Sequence, residues 1–554
     1  MPLLDVNDQL GRSVTNLGDL DGNGVIDLAC GALGDDDGGL DQGAAYILFL
    51  RGDGKVLRHQ KISALAGNFT GDLDDSDQFG RDLNGIGDLD GDGIPDLAVG
   101  ANYDDDGGIN KGAIWILFLN RDGTVRQHQK ISSTQGGFTG VLRSNDEFGR
   151  SVVMLGDLDG DGLKELAVGA PLDSTSGAKM GAIWILSLRP DGTVARHVKI
   201  GQNQGGFTGR LRATDWFSFS LAALGDLDQD GVDDLLVGAA LDDDGAVNAG
   251  AVWILFLNTN GTVKGHSKIS NVHGGFTAGL LSPFQFGTSV AALGDLNGDG
   301  ITEIAVGAVK DGDVGSQRGA VYVIFLTPQG TVGSYQKLSQ LYGGLPLRTL
   351  DNWDWYGSAL APLGDFDKDG VPDVAIGARN DDDGGANKGA VYVTFLRGGS
   401  TALTASSTAG NGLGTSADGT GLERGASVAW TAHGIGAEPD GSLQLPGEDL
   451  TSSELVFRLP RPAALAGRGA VVRLLVAAST PGAETLPTPS GLLLDPEALL
   501  GRLERTVEPG SGPLELRVRL PRRTEGTATL RFQALWLADA ARFPTDALEL
   551  RREP

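Results

Sequence analysis

The sequence predicts an all-β protein: a β-propeller of six or seven four-stranded blades, followed by a β-sandwich accessory domain. Three observations support this prediction. A nine-residue acidic loop recurs six times at a spacing of 69 or 70 residues. Each repeat contains four short strand-like segments separated by turn signals, and none shows the periodicity of a helix. Four strands per unit at a long, fixed period are typical of propeller blades.

The second repeat illustrates the four predicted strands. They cover residues 79–88, 96–101, 112–119 and 124–132. The acidic loop joins the first two strands, and the turn signals DDDGG and RDG separate the others. A ring of such units would bury the faces of each blade against its neighbours.

The acidic loop has the ligand spacing of a calcium site. Its pattern, D-x-[DN]-x-[DN]-G-x-x-[DE], offers side-chain oxygens at positions 1, 3, 5 and 9, and the backbone carbonyl of position 7 can add another. Glycine at position 6 lets the chain turn sharply around the ion. The predicted ligands are Asp19, Asp21, Asn23, Val25 and Asp27 in the first loop, Asp88, Asp90, Asp92, Ile94 and Asp96 in the second, Asp157, Asp159, Asp161, Leu163 and Glu165 in the third, Asp226, Asp228, Asp230, Val232 and Asp234 in the fourth, Asp295, Asn297, Asp299, Ile301 and Glu303 in the fifth, and Asp365, Asp367, Asp369, Val371 and Asp373 in the sixth.

Two other interpretations of this loop compete with a calcium site. An EF-hand needs glutamate at position 12 and flanking helices, whereas position 12 here is Cys30, valine or isoleucine, and the flanks are strand-like runs such as LAVGA. The EF-hand is therefore rejected. A solvated acidic turn without metal is the second alternative, although crowded acids repel one another unless a cation neutralises them. We expect calcium as the cofactor, with up to about six ions.

The repeats closely resemble the FG-GAP repeats of integrin alpha subunits and related bacterial proteins. The resemblance covers about residues 5–400 and implies a propeller with calcium in its hairpin loops. Because integrin propellers have seven blades, it leaves six and seven blades open for this chain. It also implies that ligand binds on the face opposite the calcium loops. The FG element is present as Phe79–Gly80, Phe148–Gly149, Phe286–Gly287 and Tyr356–Gly357, with Leu10–Gly11 as its first-repeat equivalent, and the GAP-like element as GAL, GAN, GAP, GAA, GAV and GAR.

Composition changes along the chain predict three parts. Residues 1–398 form the propeller, and residues 399–421, rich in small polar residues, form a flexible linker. Residues 422–554 contain strand-like runs such as AVVRLLVAA and ATLRFQALWLA, which predict the β-sandwich. A short helix is predicted within them over residues 495–507.

The chain is strongly acidic, with 44 basic and 72 acidic residues and a net charge of −28. Residues 399–554 hold 15 arginines and 18 acids, so that about −25 falls in the propeller. Such a surface disfavours nucleic acid and anionic membranes as partners. There is no apolar run long enough to span a membrane and no signal-peptide core, but millimolar calcium is extracellular. We therefore expect an exported protein, located outside the cell or on its surface.

Aromatic residues are the candidates for ligand binding on the face opposite the calcium loops. Trp216 and Trp355 occupy the position before the FG aromatic, and Trp353 and Tyr356 lie beside the latter. Exposed aromatic side chains can stack on sugars or anchor a protein partner, whereas packing between blades is the alternative.

Acidic and histidine residues also recur in register. An aspartate opens each connection between the second and third strands, where a solvated acidic turn, a second cation site and a rim for a basic ligand are the alternatives. These aspartates are Asp35, Asp104, Asp173, Asp242, Asp311 and Asp381. The histidines recur every 69 residues, but equivalent positions on different blades lie far apart, so that a structural role is expected. They are His59, His128, His197 and His266.

The sequence contains no nucleophile elbow, phosphate loop or zinc spacing, and we therefore do not expect an enzyme. The function predicted is a calcium-stabilised extracellular binding or adhesion module that recognises a protein or glycan. The alternatives are a carbohydrate-binding or carbohydrate-active propeller and a structural repeat protein of the cell surface.

Overall fold

The computed structural model of the chain describes residues 4–397 except 314, 344, 346–349 and 384–385, and beyond them the backbone of the strands from Thr404 onward. The chain divides into two units, Met1–Ser416 and Ala417–Pro554.

The first unit contains six four-stranded antiparallel sheets, here called blades 1 to 6. In each blade the strands, here called A to D, pair with one another in chain order. The bounds are as follows: blade 1, β1 (Ser13–Gly18), β2 (Asp27–Ala32), β3 (Ala44–Leu50) and β4 (Val56–Ile62); blade 2, β5 (Leu83–Gly87), β6 (Asp96–Ala101), β7 (Ala113–Leu119) and β8 (Val125–Ile131); blade 3, β9 (Ser151–Gly156), β10 (Lys164–Ala170), β11 (Ala182–Leu188) and β12 (Val194–Gly201); blade 4, β13 (Phe217–Gly225), β14 (Asp234–Ala239), β15 (Ala251–Leu257) and β16 (Val263–Ile269); blade 5, β17 (Phe286–Gly294), β18 (Glu303–Ala308), β19 (Ala320–Leu326) and β20 (Val332–Leu338); blade 6, β21 (Tyr356–Gly364), β22 (Asp373–Ala378), β23 (Ala390–Arg397) and β24 (Thr404–Asn411).

Side-chain polarity accounts for the place of each strand in its blade. In blade 2 every residue of β6 and β7 is buried, because these strands pack against a neighbouring blade on each face. Strand β8 instead has five polar residues between Val125 and Ile131 and exposes part of its length, as expected at the outer edge.

The ring closes after six blades. The A strands of successive blades contact one another around a central axis, and β1 contacts β21 of the last blade. Among the described residues the apolar core forms six clusters, one at each interface between blades. At the closing interface Leu4 and Leu10 pack with Val391 and Val393. Six blades, rather than seven, is therefore the answer to the question that the sequence leaves open.

The FG and GA motifs form the junctions between blades. Phe79 is completely buried, and its backbone N–H donates to the carbonyl of Gln42 in blade 1 over 2.9 Å. Gly80 has φ +87° and faces Gly31 so closely that a β-carbon on Gly31 would lie 2.0 Å from the carbonyl oxygen of Gly80. Only glycine tolerates this approach of two backbones.

The same junction recurs at the closing interface and, with one substitution, in blade 4. The N–H of Leu10 donates to the carbonyl of Lys388 over 3.0 Å, and Gly11 has φ +82°, which confirms Leu10–Gly11 as the first FG equivalent. In blade 4 Ser218 replaces the glycine at φ +74°, and its Oγ donates to the carbonyl of Ala182 over 2.7 Å.

Part of the predicted linker is a strand. Within residues 399–421, β24 pairs with β23 and supplies the fourth strand of blade 6. The rest of that segment lies outside the described residues.

The second unit is all-β in the strands that are described. The four-stranded sheet has the order β25-β32-β27-β30, and β26 pairs with β31 and β28 with β29. The helix predicted over residues 495–507 is wrong, because Leu499–Val507 pairs as a strand with Ala470–Ser479. The β-sandwich stays a prediction, since the segments between these strands lie outside the described residues. The strands are β25 (Ser442–Gln444), β26 (Glu454–Leu459), β27 (Ala470–Ser479), β28 (Leu486–Pro487), β29 (Leu493–Leu494), β30 (Leu499–Val507), β31 (Leu514–Arg519) and β32 (Thr529–Ala538).

Candidate functional site: metal loops and junction face

The propeller has two chemically different faces. Because the strands of a blade alternate in direction, the A–B loops and C–D turns lie at one end, here called the turn face. The B–C loops and the D–A connections lie at the other end, here called the junction face. The acidic loops are A–B loops and therefore lie on the turn face, whereas the candidate tryptophans lie on the junction face.

The first aspartate of each acidic loop organises the loop around its own carboxylate. In all six loops one oxygen of this carboxylate accepts a hydrogen bond from the N–H of the glycine at position 6, over 2.8–3.0 Å. Asp88 also accepts from Gly91 and Asp92, and these backbone bonds lower the pKa of its carboxyl group. Gly93 has φ +81°, the left-handed conformation that the sharp turn was predicted to need.

The acid at position 9 ties the loop to the sheet. Asp96 is completely buried, and its two oxygens accept hydrogen bonds from the N–H of Leu89 in the loop and of Leu119 in strand C. Burial raises the pKa of Asp96 to about 6 and that of Glu303, its counterpart in blade 5, to about 7. The same pair of backbone donors serves Asp27, Asp234 and Asp373.

The loop oxygens converge as a metal site requires. In five loops three carboxylates each offer an oxygen within 4.8 Å of the other two. In the fifth loop Asn297 replaces one aspartate, and its Nδ2 donates to Asp299 over 3.0 Å. Clustered carboxylate and amide oxygens suit a hard divalent cation such as calcium, so the donor set fits the predicted ion. The backbone carbonyls at position 7 stay a prediction. The clusters are Asp19, Asp21 and Asp27; Asp88, Asp90 and Asp96; Asp157, Asp159 and Asp161; Asp226, Asp228 and Asp230; and Asp365, Asp367 and Asp373.

Basic side chains from strand D reach into four of these loops. Arg196 contacts Asp159, Asp161 and Glu165 in blade 3. Its counterparts are Arg58 at Asp21, Arg126 at Asp90 and Asp92, and Lys264 at Asp228 and Asp230. These cations offset the repulsion between the loop carboxylates and would compete with a metal ion for the same oxygens.

The aspartates that open the B–C loops are not solvated. They are at most 4% exposed, and in blades 1 to 5 each contacts a strand D lysine over 2.5–2.7 Å. Interpreting them as a solvated acidic turn is therefore wrong. The lysines Lys61, Lys130, Lys199, Lys268 and Lys337 recur every 69 residues, a signal that would have identified the pairs from the sequence.

The candidate aromatic residues differ in accessibility. Trp353 is 52% exposed, whereas Trp216 and Trp355 are half-buried. The indole N–H of Trp355 donates to Gln317 over 3.2 Å, and Arg379 stacks on its ring with 4.4 Å to the centroid. Tyr356 is completely buried between blades 5 and 6, so that its placement among the ligand-binding residues is corrected: it is a core residue that replaces the junction phenylalanine.

The recurring histidines have the structural role expected of them. His128 hydrogen-bonds Thr70 over 3.1 Å and lies against the rings of Phe69 and Trp115, with centroids 5.1 and 5.2 Å away. His197 and His266 repeat these contacts in the next two blades.

A cavity of about 240 Å³ lies on the axis, lined by the A strands of all six blades. Arg12 and Arg150 line it, together with Phe219, Thr288 and Ser358. Arg12, Arg81 and Arg150 each follow the glycine of an FG element, so that their recurrence every 69 residues was visible in the sequence but was overlooked.

No helix in the described part of the chain is long and apolar enough to cross a membrane.

Comparison with known proteins identifies the repeat. The FG-GAP repeat model matches residues 217–255, 286–324 and 356–394, and the FG-GAP-like repeat model matches residues 88–168. Integrin alpha-PS2 of Drosophila melanogaster is 31% identical over 274 residues, which are 48% of this chain and 17% of that protein. Integrin alpha-5 of Xenopus laevis is 31% identical over 236 residues, 42% of this chain and 20% of that protein.

Two enzymes are also among the matches. Phosphatidylinositol-glycan-specific phospholipase D of Bos taurus is 32% identical over 194 residues, 33% of this chain and 22% of that protein. The chain thus spans only about a fifth of the length of the curated relatives it matches. A solved family 43 arabinoxylan arabinofuranohydrolase of Bacillus subtilis aligns over 96% of this chain and 97% of its own at 10% identity, but its TM-score of 0.32 is too low to indicate a shared fold. The chain therefore carries FG-GAP repeats in a six-bladed propeller, and its sequence is similar to the sequences of integrin alpha subunits.

Proposed function

We propose that the propeller is a calcium-stabilised extracellular binding or adhesion module that recognises a protein or glycan through its junction face. The observation that carries this proposal is the convergence of oxygen ligands in register in the acidic loops, on a scaffold similar to integrin alpha subunits. The loops are at the hairpins and the variable connections are at the opposite end, which suits a division between stabilisation and recognition.

Calcium would stabilise the fold in two ways. In four loops the ion would hold the A–B hairpin through the same acid that accepts a hydrogen bond from strand C, as Asp96 does from Leu119. Six ions would also supply about 12 positive charges to a propeller with a net charge of about −25. Both effects favour the folded state, because the ligands converge only there.

Thermal unfolding with calcium, with magnesium and with chelator tests the metal. We expect calcium to raise Tm, because an ion at 100 times its Kd contributes about 2.7 kcal/mol per independent site. Magnesium should act more weakly, since it demands a tighter octahedral geometry. Unchanged melting and circular dichroism in chelator would remove calcium from the proposal.

The calcium affinity tests the proposed location. Extracellular calcium modules have Kd values of about 10⁻⁴ to 10⁻³ M, whereas cytosolic buffers bind far more tightly. Isothermal titration of the chelator-treated protein should therefore give sub-millimolar to millimolar values. Nanomolar binding would argue for a cytosolic protein instead.

A carbohydrate ligand is the second candidate, favoured by the exposure of Trp353 on the junction face. A glycan array should be probed with the wild type and with Trp353→Ala, Trp216→Ala and Trp355→Ala. A glycan signal that Trp353→Ala removes would assign the ligand to sugars, and a carbohydrate-active role would then be tested by cleavage of that glycan. No glycan signal leaves a protein ligand, and calcium binding without any ligand would indicate a structural repeat protein.

A further inference from the structure

Four arginines lie near one another at the junction-face end of the axial cavity, here called the mouth, where Arg12 and Arg150 line it and the charges of Arg81 and Arg379 act on theirs. Arg12, Arg81 and Arg150 precede the A strands of blades 1, 2 and 3, and Arg379 follows strand B of blade 6, next to blade 1. The three equivalent positions in blades 4, 5 and 6 are Phe219, Thr288 and Ser358. The mouth therefore has a basic half and a neutral half, within a propeller whose net charge is about −25.

These arginines are buried and short of partners. Arg12, Arg81 and Arg150 are only 7–8% exposed, and the Nε of each has no hydrogen-bond partner among the described residues. Arg150 donates through Nη1 to Glu147 over 3.2 Å, but the guanidinium groups of Arg12 and Arg81 make no hydrogen bond or ion pair within the described part of the chain. Buried cationic donors without partners are unfavourable unless an anion completes the site.

The four charges also act on one another. Burial, and then the charges of Arg379 and Arg150, lower the pKa of Arg12. Burial and the charges of Arg12 and Arg150 do the same to Arg81. Lys310, whose pKa is lowered by burial and then by the charge of Arg379, is a fifth cation near this group.

Two acids face these cations. Glu147 pairs with Arg150 and also accepts from Asn102. Asp82 accepts the N–H of Val152 over 2.8 Å, and burial raises the pKa of its carboxyl group to about 6. Two acids against five cations leave an excess of positive charge at the mouth.

Aromatic rings hold two of the guanidinium groups in place. Arg150 lies over Phe219 with 4.2 Å to the ring centroid, and Arg379 lies over Trp355 with 4.4 Å. Stacking occupies the flat face of a guanidinium group and leaves its N–H edge free, which is the edge that grips a planar oxyanion with two parallel hydrogen bonds.

We propose that this mouth is an anion-binding site, formed by Arg12, Arg81, Arg150 and Arg379, which takes a single carboxylate or sulfate group. The inference extends the proposed function and rests on it only for the use of the junction face in recognition. The bound group belongs to an otherwise weakly charged ligand, because exposed aspartates of the surrounding B–C loops, such as Asp36, Asp105 and Asp243, would repel an extended polyanion.

The test measures the binding of small anions to the full, calcium-loaded chain, by calorimetry and by the shift in Tm. The probes are sodium sulfate, sodium acetate, glucuronate and N-acetylglutamate, and the variants are Arg81→Met, Arg379→Met and the control Arg51→Met, whose side chain is 59% exposed on the turn face. We expect saturable binding and a higher Tm with anion for the wild type and for Arg51→Met. In Arg81→Met, anion affinity should fall by about tenfold or more, because one charge-assisted pair is lost.

The variants also separate an anion site from a merely structural cluster. Removing one of four mutually repelling cations should raise Tm in anion-free buffer for Arg81→Met. If Arg81→Met does not fold, the less buried Arg379→Met gives the same comparison. If glucuronate binds more tightly than N-acetylglutamate, the site is assigned to an acidic sugar. If N-acetylglutamate binds more tightly, the site is assigned to an acidic side chain of a protein. Equal anion responses in wild type, Arg51→Met and both site variants would overturn the proposal, whether or not calcium and ligand binding are found.

Discussion

A β-carbon on Gly389 would lie 2.0 Å from the carbonyl oxygen of Leu10, the same distance that would separate a β-carbon on Gly112 from the carbonyl oxygen of Phe148. Blade 1 thus docks on blade 6 through the junction that joins blades 2 and 3. Each blade takes its four strands from one continuous segment, so no strand is exchanged across the closing interface. Ring closure therefore depends on this backbone contact and on the apolar cluster beside it.

Gly389→Ala tests the closing junction, and Gly112→Ala tests an internal one. Both residues have φ above +80°, and both β-carbons would meet backbone rather than a side chain that can move. We expect each change to lower the free energy of unfolding by about 2–4 kcal/mol, measured in urea. Gly52→Ala is the control, because a β-carbon there meets nothing within 4 Å. If Gly389→Ala kept the wild-type free energy of unfolding while Gly112→Ala lost stability, the ring would be open in solution.

Asp92→Asn and Asp96→Asn should separate metal binding from loop structure. Asp92 is exposed, and its substitution should weaken the response to calcium with little effect in chelator. Asp96 is buried and accepts two backbone hydrogen bonds, so an amide there also destabilises the metal-free protein, by about 1–3 kcal/mol. Urea unfolding in calcium and in chelator measures both. If both variants lost the same free energy of unfolding in chelator, the structural role of the acid at position 9 would be contradicted.

Arg196→Met should tighten calcium binding in blade 3. Its guanidinium group contacts three of the predicted ligands and must leave them when an ion binds. Because Arg196 is 44% exposed, solvent screens the effect, and we expect an increase in affinity of about two- to tenfold. Calorimetric titration checks it, with Arg189→Met, which contacts none of these ligands, as the control. Weaker binding in Arg196→Met would mean that the arginine supports the site.

Asp77→Asn should change how stability depends on pH. Burial, and then the charge of Asp104, raises the pKa of Asp77 in the folded protein from 3.8 to about 7. The stability that comes from its proton is fully present below pH 4 and is lost as the pH rises through 7. The amide needs no proton, so the variant should gain on the wild type between pH 4 and 7, by a few kcal/mol in order of magnitude.

Urea unfolding across this pH range, at constant calcium, gives the difference between the two proteins. Asp72→Asn is the matched control, since Asp72 is exposed in the same connection. A difference between Asp77→Asn and wild type that does not vary with pH would show that the Asp77 carboxyl is already ionised in the folded state at low pH.

The period of 69 residues was enough to predict the strands, the acidic hairpin loops and the face on which each loop lies. It could not show that Leu10 meets Gly389, because this contact joins residues at opposite ends of the propeller. The burial of Asp35 was missed because its partner, Lys61, lies on strand D, and the aspartates were considered without the lysines.

Residues that recur at equivalent positions of successive blades lie close together on inner strands and far apart on outer strands. His128 and its counterparts lie on outer strands, separated by whole blades, and the sequence correctly predicted that they do not meet. Arg12, Arg81 and Arg150 recur at the same period but lie on inner strands, where neighbouring blades contact one another. Residues that recur in every blade can form a shared site only if they lie close to the propeller axis. The spacing in the sequence does not give their distance from that axis.

The continuity of each blade along the chain has an evolutionary consequence. A tandem duplication of any 69-residue unit would insert a whole blade, complete with its own hairpin loop and docking surfaces, and no other blade would have to give up a strand. Such an event would add one hairpin loop to the turn face and one more A strand around the axis. In this architecture a ring would gain one unit at a time, and each addition would change the charge and width of the central opening.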